Sequence, residues 1–314
     1  MVDNNIIQVK KIGVSFGKTS VLRHLSLEIK QGEIIGIAGA SGSGKSTLLN
    51  ALAGLIEPDE GEVIYSLDAK EFEFIQNRKY LKNFIGYSLQ YPCFYEELSV
   101  NENLDYFSSL FGISRRLRKE IILTVLKMVE LEMFKTKRAG SLSGGMKRRL
   151  DIALALVHNP KILFLDEPTS DLDPILREKI WSLIHKIKEN GTTVIISSHF
   201  LSELEENCER IALLNNGKIA RILTSSNKEL LNEEWIQLCT RERKYSEIIH
   251  ELNTEEQDII AVMEKGDFLI IKTQNSEKVL SNILKIIKKH KFEIESIERI
   301  TPSVEDIFKD TLGK

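Results

Sequence analysis

The chain has 314 residues, more than one ordinary domain needs and enough for a large and a small one. Hydrophobic residues make up 42% of it and charged residues 28%, which excludes intrinsic disorder, collagen and disulfide scaffolds. The 43 Lys and Arg and the 46 Asp and Glu give a net charge of −3. This balance lacks the basic excess of proteins that neutralise many nucleic-acid phosphates, so we expect no nucleic-acid partner.

Glycine and proline divide the chain near Thr224. Sixteen of the 18 glycines and five of the six prolines precede this position, so turns concentrate in the first part and longer regular elements in the second. The first 224 residues carry 29 basic and 28 acidic side chains, and the remainder carries 14 and 18. We therefore expect two domains, at 1–224 and 225–314.

No segment predicts a membrane span, because a spanning helix needs about 20 predominantly apolar residues. The first residues also lack the apolar region of a signal peptide. Cys93, Cys208 and Cys239 are scattered without the spacing of a metal site. We expect a cytosolic chain with reduced thiols.

The first part of the chain predicts an α/β fold. Alternating polarity at 7–16 and 25–29 predicts strands of an antiparallel subdomain. Continuous apolar runs predict strands buried on both faces, as in parallel sheets. These runs are 34–38, 162–165 and 193–197. Helical spacing is found at 100–110, 117–130, 144–157 and 175–189. Alternating strands and helices predict a parallel core with a helical insert around 100–157.

The tail predicts a different, smaller domain. Its predicted elements are a strand at 235–240, a helix at 243–252, a hairpin of 258–264 and 267–273, and a helix at 276–290. FEIESIERI and SVEDIFKDTL then predict a last strand and a last helix. The resulting order, β-α-β-β-α-β-α, is typical of a ferredoxin-like α+β domain.

The segment GASGSGKST at 39–47 contains the G-x-x-x-x-G-K-[ST] pattern of a phosphate-binding loop, between a strand and a helix as that pattern requires. Glycines let backbone N–H groups face the phosphates, and the following helix adds its N-terminal partial charge. Lys45 supplies a positive charge to the terminal phosphates, and the Ser46 hydroxyl is a hard oxygen ligand for Mg²⁺. The other residues of the predicted nucleotide site are Gly39, Ala40, Ser41, Gly42, Ser43, Gly44 and Thr47.

A second group of candidates ends the apolar run ILFLDEP at 162–168. Adjacent side chains on a strand point to opposite sides, so Asp166 and Glu167 can do different work. Asp166 can hold the magnesium shell, and Glu167 can face an attacking water as base or orienter. Read alone, the pattern favours a strand end with two solvated acids.

The segment SLSGG at 141–145 precedes a helix. Ser143, Gly144 and Gly145 then present exposed N–H groups at a helix N-terminus, a second anion site. Read alone, this is an N-cap. One chain does not need two phosphate cradles for one nucleotide, so the second has a purpose if another subunit holds that nucleotide.

These segments together resemble a known family. The order and spacing of GASGSGKST, Gln90, LSGGM, ILFLDEP, SDLD (170–173) and SSH (197–199) are similar to the nucleotide-binding subunits of ATP-binding cassette (ABC) transporters, over about residues 5–224. The resemblance implies a P-loop ATPase that binds ATP with Mg²⁺, pairs with a second ATP-binding subunit and drives an integral-membrane permease at the cytoplasmic face of the cell membrane. The second subunit is another copy of this chain, or a different one in a heterodimer.

The resemblance also implies roles for single residues. Phe16 would stack on adenine, and His199 would hydrogen-bond the γ-phosphate. Gln90 would touch Mg²⁺ or the attacking water and sense the permease. Asp173 would bridge the two sites of the dimer. With Lys45 and Glu167, Gln90 and His199 complete the implied catalytic set, and the implied metal ligands are Ser46, Gln90 and Asp166.

The implied contacts across the dimer include two departures from the family pattern. Ser143, Gly144 and Gly145 would clamp the γ-phosphate of the partner's nucleotide. Met146 follows them where many members carry Gln, and Asp171 stands where a small residue is common. Both departures bear on packing between the subunits.

The direction of transport is suggested by two further segments. GGMKRRLDIALAL and the closing TPSVEDIFKDTLG are similar to cassettes that export drugs, lipids or antibiotics, which makes the tail an accessory or regulatory domain. One alternative is an amino-acid-type importer whose ferredoxin-like tail senses a small molecule. Another is a cassette acting on nucleic acid or the ribosome, but the coiled-coil or zinc insertions of those relatives do not occur here.

The segment after Gln90 contains Tyr91, Phe94, Tyr95 and Leu98. These side chains are either core or an apolar patch, and in the resembled family this region receives a short helix from the membrane subunit. We expect the patch to be exposed in the isolated subunit and covered in the complex.

Overall fold

The computed structural model describes residues 4–68, 70–224, 234–255, 258–300 and 306–308. The chain forms two compact units that divide between Leu223 and Thr224. Each unit has its own cluster of buried apolar side chains. Within the described residues, no helix is long and apolar enough to cross a membrane.

The chain up to Thr224 alternates strands and helices. Its strands are β1 Asn5–Phe16, β2 Thr19–Lys30, β3 Ile34–Ala38, β4 Glu60–Leu67, β5 Lys70–Glu73, β6 Ile85–Ser88, β7 Ile162–Asp166, β8 Thr193–Ser198, β9 Arg210–Asn215 and β10 Lys218–Thr224. Its helices are α1 Lys45–Leu52, α2 Phe74–Leu81, α3 Val100–Leu110, α4 Arg115–Met128, α5 Gly144–Leu156, α6 Pro174–Glu189 and α7 Leu201–Asn207. Short 3-10 helices occupy Lys82–Phe84, Glu132–Phe134 and Ala139–Ser141.

A largely parallel sheet forms the centre of the first unit. Its strand order is β10-β9-β3-β8-β7-β6, and β3, β8, β7 and β6 pair in parallel. Every residue of β3, β7 and β8 is buried, as their continuous apolar runs predict. Since the carboxyl ends of parallel strands meet at one edge, the segments after β3, β7 and β8 are brought together there.

An antiparallel sheet of order β2-β1-β4-β5 supports the helix that follows the phosphate-binding loop. Its apolar side chains share one core with α1, including Ile7, Ile29, Leu48 and Leu52. Tyr65 on β4 donates a hydrogen bond to the Leu52 carbonyl at the end of α1. The expected antiparallel subdomain is therefore present, and β1 pairs with β2 through several register shifts.

The helical insert consists of α3, α4 and α5, close to the predicted span. Helix α4 begins at Arg115, two residues before its predicted start, and Ser114 is its N-cap. Helix α6 begins one residue before its predicted start, with Pro174 at its first position and Asp173 as N-cap.

The second unit has the ferredoxin-like strand order. Its elements are β11 Glu234–Thr240, α8 Ser246–Glu255, β12 Ile259–Lys265, β13 Phe268–Thr273, α9 Ser276–His290 and β14 Ile294–Ile300. The antiparallel sheet runs β12-β13-β11-β14, so the first and third strands of the unit lie in the middle. Helix α8 begins at Ser246, three residues later than predicted. Residues 306–308 are helical, and the rest of the predicted last helix lies outside the described residues.

Candidate nucleotide site

The phosphate-binding loop connects β3 to α1 in a conformation that depends on glycine. Gly42 and Gly44 have φ values of 78° and 106°, in the left-handed region that favours glycine. A Cβ on Gly39 would lie 2.7 Å from the Leu214 carbonyl oxygen, too close for any side chain. Gly44 is the N-cap of α1 and provides no side-chain cap, so the first N–H groups of this helix remain available to an anion.

Lys45, at the start of α1, connects this loop to the end of β7. Its ammonium donates to the Gly39 carbonyl at 3.0 Å and lies 3.3 Å from Oε1 of Glu167. Lys45 and Glu167 are each only 8% exposed. The structure therefore brings together two predicted catalytic residues that are 122 positions apart, in a setting where water screens their charges weakly.

Ser197 on β8 holds the two acids at the end of β7. Its hydroxyl donates to Oδ1 of Asp166 at 2.5 Å and accepts from the Glu167 N–H at 2.9 Å. Asp166 is paired with Ser197 across the sheet, whereas Glu167 lies beyond the strand with a φ of 48°. The two carboxylates thus have different partners, as expected for two different roles.

Glu167 also contacts His199, which follows β8. Nδ1 of His199 lies 2.7 Å from Oε2 of Glu167, while Oε1 of the same carboxylate faces Lys45. His199 is about half exposed. One carboxylate therefore bridges an ammonium and an imidazole, an arrangement that can hold a water on one side and a phosphate on the other.

The other predicted site residues lie around this cluster, and the Ala40 carbonyl joins it by accepting from Nζ of Lys45 at 3.5 Å. Phe16 ends β1 and is 54% exposed, so its ring is open to a partner. Gln90 is exposed just after β6. Ser46 and Thr47 are half-buried in the first turn of α1, and Ala40 and Ser41 are exposed in the loop.

Comparison with known proteins places this geometry in a family. Residues 22–170 match the family model described as "ABC transporter". The bacitracin transport ATP-binding protein BcrA of Bacillus licheniformis is 30% identical over 311 residues, which cover 99% of this chain and 98% of BcrA. The chain belongs to the ABC transporter family. A Nod factor export ATP-binding protein of Rhizobium sp. (strain N33) is 32% identical over 98% of this chain and 97% of its own length.

Solved ABC structures share the fold. The ATP-binding cassette MJ0796, a dimer bound to ADP and Pi after hydrolysis, is 33% identical with a TM-score of 0.60, over 69% of this chain and 98% of its own. CbiO1 of Clostridium perfringens, part of the ABC transporter complex cbiONQ, is 25% identical with a TM-score of 0.66, over 81% and 96%. The expected fold class, family and ATPase activity are confirmed: the chain is the ATP-binding subunit of an ABC transporter.

The predicted second anion site lies at the start of α5. Ser143 is the N-cap and makes no side-chain cap bond, and Ser143 and Gly144 are exposed. Gly145 is buried, and a Cβ there would lie 2.9 Å from the side chain of Leu176 on α6. Met146 is half-buried in the same turn. An uncapped helix N-terminus is thus presented to solvent, as the sequence predicts.

Asp173 and Asp171 precede α6. Oδ1 of Asp173 accepts from the Leu176 N–H at 3.0 Å, so this residue caps α6 within its own subunit. Asp171 is exposed and has a φ of 59°, a conformation in which Gly, Asn and Asp are the favoured residues. The departure from a small residue at Asp171 therefore fits its local backbone.

Sequence reasoning missed several side chains that support the site. Arg148 and Asp151 on α5 bind the segment that contains Gln90, and burial raises the pKa of the Asp151 carboxyl. Glu203 on α7 accepts from the Thr169 hydroxyl at 2.8 Å and from Nη1 of Arg177 at 3.0 Å. Arg148 and Asp151 stand in the segment GGMKRRLDIALAL, but nothing in one sequence indicates that they reach backbone atoms far away.

Proposed function

We propose that this ABC subunit is the motor of an exporter: two copies close over two ATP molecules at the cytoplasmic face of the membrane and drive a separate permease. The observation that supports ATP hydrolysis is the position of the Glu167 carboxylate between Lys45 and His199. Export is supported by BcrA and the Nod factor export protein, since both align with nearly the whole chain, tail included. The substrate class proposed is a drug, lipid or antibiotic-like molecule.

The loop fits a nucleotide with Mg²⁺. The Ser43 hydroxyl oxygen is buried and has no hydrogen-bond partner among the described residues, and Gly39 leaves a cradle that a Cβ would fill. Ser46, Gln90 and Asp166 offer the hard oxygen atoms that Mg²⁺ prefers alongside substrate phosphates. The ion would neutralise charge on the phosphates, and Ser197 fixes the orientation of Asp166 for that purpose.

The protein's own groups account for the remaining chemistry. The N–H groups of the loop and the Lys45 ammonium bind the terminal phosphates. Phosphate oxygens would replace Glu167 as the partner of Lys45, which leaves Oε1 of Glu167 able to orient the attacking water and accept its proton. His199 holds Oε2 and adds a donor toward the γ-phosphate.

The permease is proposed to cover the patch after Gln90. Tyr91 is 79% exposed and Tyr95 is also exposed, while Phe94 and Leu98 are half-buried. Neither Phe94 nor Tyr95 is fully buried, so these side chains are accessible to a partner. An apolar surface of this kind suits the short helix of a membrane subunit.

An amino-acid-type importer is the second candidate, because the second unit has the ferredoxin-like order of a small-molecule sensor. Titration of the full-length chain with amino acids separates the two functions. Saturable binding that disappears when β11 to β14 are removed favours the importer. A full-length chain that binds no amino acid favours the exporter.

The change Glu167→Gln tests hydrolysis directly. It keeps the shape of the side chain but removes the base, so we expect ATP to bind while hydrolysis slows at least about a hundredfold, since a catalytic acid–base group contributes roughly 10²–10⁴-fold. Turnover is measured by phosphate release and binding by a fluorescent nucleotide analogue.

A matched control for this test is Glu206→Gln, which neutralises an exposed acid on α7. We expect its turnover to match that of the wild-type chain. If Glu167→Gln keeps its rate within about threefold of wild type, Glu167 is not the catalytic base and the proposed chemistry is wrong.

A further inference from the structure

Arg148 is buried in α5, and its guanidinium binds backbone carbonyls of two segments that are distant in sequence. The residue is only 7% exposed. Nη1 donates to the Leu89 carbonyl at 2.7 Å, and Nη2 donates to the Gln90 carbonyl at 3.4 Å. Nη2 also donates to the Glu167 carbonyl at 2.7 Å, and Nε donates to the Pro168 carbonyl at 3.0 Å. One side chain thus joins the segment around Gln90 to the backbone of the proposed catalytic acid.

Asp151, one turn further along α5, holds the same segment at both ends. We call residues 88–93 the Gln90 loop. Asp151 accepts hydrogen bonds from the Ser88 hydroxyl and, at 3.1 Å, from the Cys93 N–H. Its Oδ2 lies 3.8 Å from Nη1 of Arg148, so it also balances the buried positive charge. Only Arg148 of the two binds residues 167 and 168 as well.

The chemistry of the contacts requires arginine. The guanidinium carries five N–H donors in a planar fork, and four carbonyl oxygens in the described structure occupy it. A lysine ammonium carries three donors on one nitrogen and cannot span both segments. Burial lowers the pKa of the Arg148 guanidinium and the carboxylate of Asp151 opposes this effect, while arginine remains charged in proteins.

The backbone of Glu167 depends on support from both sides. Its φ of 48° is a left-handed conformation that persists only where surrounding contacts hold it. Ser197 binds the N–H of this residue, and its carbonyl oxygen accepts from Arg148 at 2.7 Å, from the Ser170 hydroxyl at 2.8 Å and from the Ser170 N–H at 3.2 Å. Ser170 belongs to the same turn as Glu167, so it is Arg148 that ties this turn to α5. Loss of the Arg148 bond would let the turn move and would carry the carboxylate away from Lys45 and His199.

We propose that Arg148 is a positioning residue for ATP hydrolysis. It fixes the Gln90 loop and the backbone of Glu167 relative to each other. A displacement of the loop is then transmitted to the catalytic carboxylate through a single guanidinium. This role rests on the proposed function of Glu167 and adds to it a route by which the permease surface beside Gln90 controls hydrolysis.

The test compares Arg148→Lys and Arg148→Met with wild type in the full-length chain. The rate constant kcat, the KM for ATP, the Kd for ATP in EDTA and the thermal unfolding midpoint are all measured. We expect kcat to fall about tenfold or more, because a misplacement near 1 Å can cost about a hundredfold. The Kd and KM should stay within about threefold, since the phosphate-binding loop is untouched.

Two controls isolate the contact with Glu167. Arg149→Lys changes the adjacent arginine, which binds the Val129 carbonyl and Glu130, and should leave kcat unchanged. Asp151→Asn weakens the bonds to the Gln90 loop and removes the charge that faces Arg148, but it leaves the four carbonyl contacts of Arg148 in place. It should therefore lower kcat less than Arg148→Met does. Equal losses in Asp151→Asn and Arg148→Met would show that the loop alone matters and would overturn the link to Glu167.

Other outcomes separate this proposal from the function on which it rests. A kcat within about threefold of wild type in both Arg148 variants overturns the positioning role. A parallel loss of kcat, ATP affinity and thermal stability in Arg148→Lys also overturns it, because general unfolding would explain that result. Glu167→Gln is assayed alongside. If Glu167→Gln retains its activity, the proposed catalytic role of Glu167 is wrong. If Glu167→Gln is inactive but both Arg148 variants keep the wild-type kcat, only the positioning role of Arg148 is wrong.

Discussion

A left-handed backbone at Glu167 turns the chain immediately after β7, and this turn decides where the carboxylate points. Such a conformation costs a non-glycine residue roughly 1–3 kcal/mol. Its N–H is bound by Ser197, and its carbonyl oxygen is bound by Arg148 and Ser170. Its two carboxylate oxygens face Lys45 and His199. The strained residue Glu167 is therefore contacted by side chains from α1, α5 and β8 and from the segment that follows β8.

The pattern DEP predicts two acids with separate roles, and the structure gives them separate partners. The same pattern does not reveal the bend at Glu167, because the bend depends on contacts with α5 and β8. Lys45 and His199 are recognisable because their motifs are local. Arg148 is not, because its partners are carbonyl groups, which every residue has.

Gly39 gives the sharpest prediction for a single substitution. In Gly39→Ala the new Cβ would lie 2.7 Å from the Leu214 carbonyl, a backbone atom that cannot move without shifting β9. Overpacking costs about 1–3 kcal/mol of folding free energy, which the loop relieves by moving away from β9. We expect ATP to bind about tenfold more weakly to the displaced loop, which corresponds to about 1.4 kcal/mol of binding free energy. Nucleotide affinity is measured by fluorescence titration.

The matched control for Gly39→Ala is Gly13→Ala on β1. The nearest atom to the new Cβ would be Oε2 of Glu60 at 3.4 Å, an ordinary contact, so the subunit should fold and bind ATP as wild type does. Unchanged affinity in Gly39→Ala would mean that the loop tolerates a different path from the one described.

At the scale of elements, helices with regular apolar spacing were predictable, whereas several of the strands were not. Helices α3, α5 and α6 repeat apolar residues at helical spacing and were predicted within two residues of their bounds. Strand β6 has only four residues and no alternation, and it exists because it pairs in parallel with β7. Strands β4, β5, β9 and β10 had no individual prediction either, although β5 follows β4 and β10 follows β9 in both the chain and the sheet. The Asn216-Gly217 pair between β9 and β10 is a local hairpin signal that the prediction did not use. The short helices α2 and α7 were missed as well.

Helix α3 begins with a reciprocal pair of hydrogen bonds that responds to pH. The Ser99 hydroxyl accepts from the Glu102 N–H at 3.2 Å, and Oε2 of Glu102 accepts from the Ser99 N–H at 2.7 Å. These bonds lower the pKa of the Glu102 carboxyl below its usual value. The ionised form therefore stabilises the folded chain above the unfolded pKa, and this contribution is lost as pH falls through the folded pKa.

We predict that Glu102→Gln lowers the thermal unfolding midpoint at pH 7 and that the difference from wild type shrinks as pH falls below about 4.3. The amide keeps the shape and removes only the charge, which near a helix N-terminus is favourable. Unfolding is followed by circular dichroism at each pH. Glu120→Gln on α4 serves as a control with no cap to lose, and a Glu102→Gln difference that is constant from pH 7 downward contradicts the prediction.

At the scale of the whole molecule, the exposed ends of α5 and α6 form one surface. Gly145 contacts Leu176, so the N-terminal turns of the two helices lie side by side. Ser143 and Asp171 are exposed there, and Ile175 is 68% exposed. An uncapped helix end beside an exposed apolar residue is suited to contact the nucleotide and surface of a second subunit.

We predict that Glu167→Gln sediments as a dimer in the presence of Mg²⁺ and ATP and as a monomer without ATP, because bound nucleotide supplies the phosphate that α5 of the partner subunit is proposed to bind. Adding Ser143→Glu should abolish the dimer without loss of folding. A carboxylate is favourable at a helix N-terminus but repels the γ-phosphate of the partner's ATP. Sedimentation velocity measures the outcome at matched protein concentration. A double variant that still dimerises with ATP excludes α5 from the contact, and a Glu167→Gln chain that stays monomeric with ATP requires a different subunit as the partner.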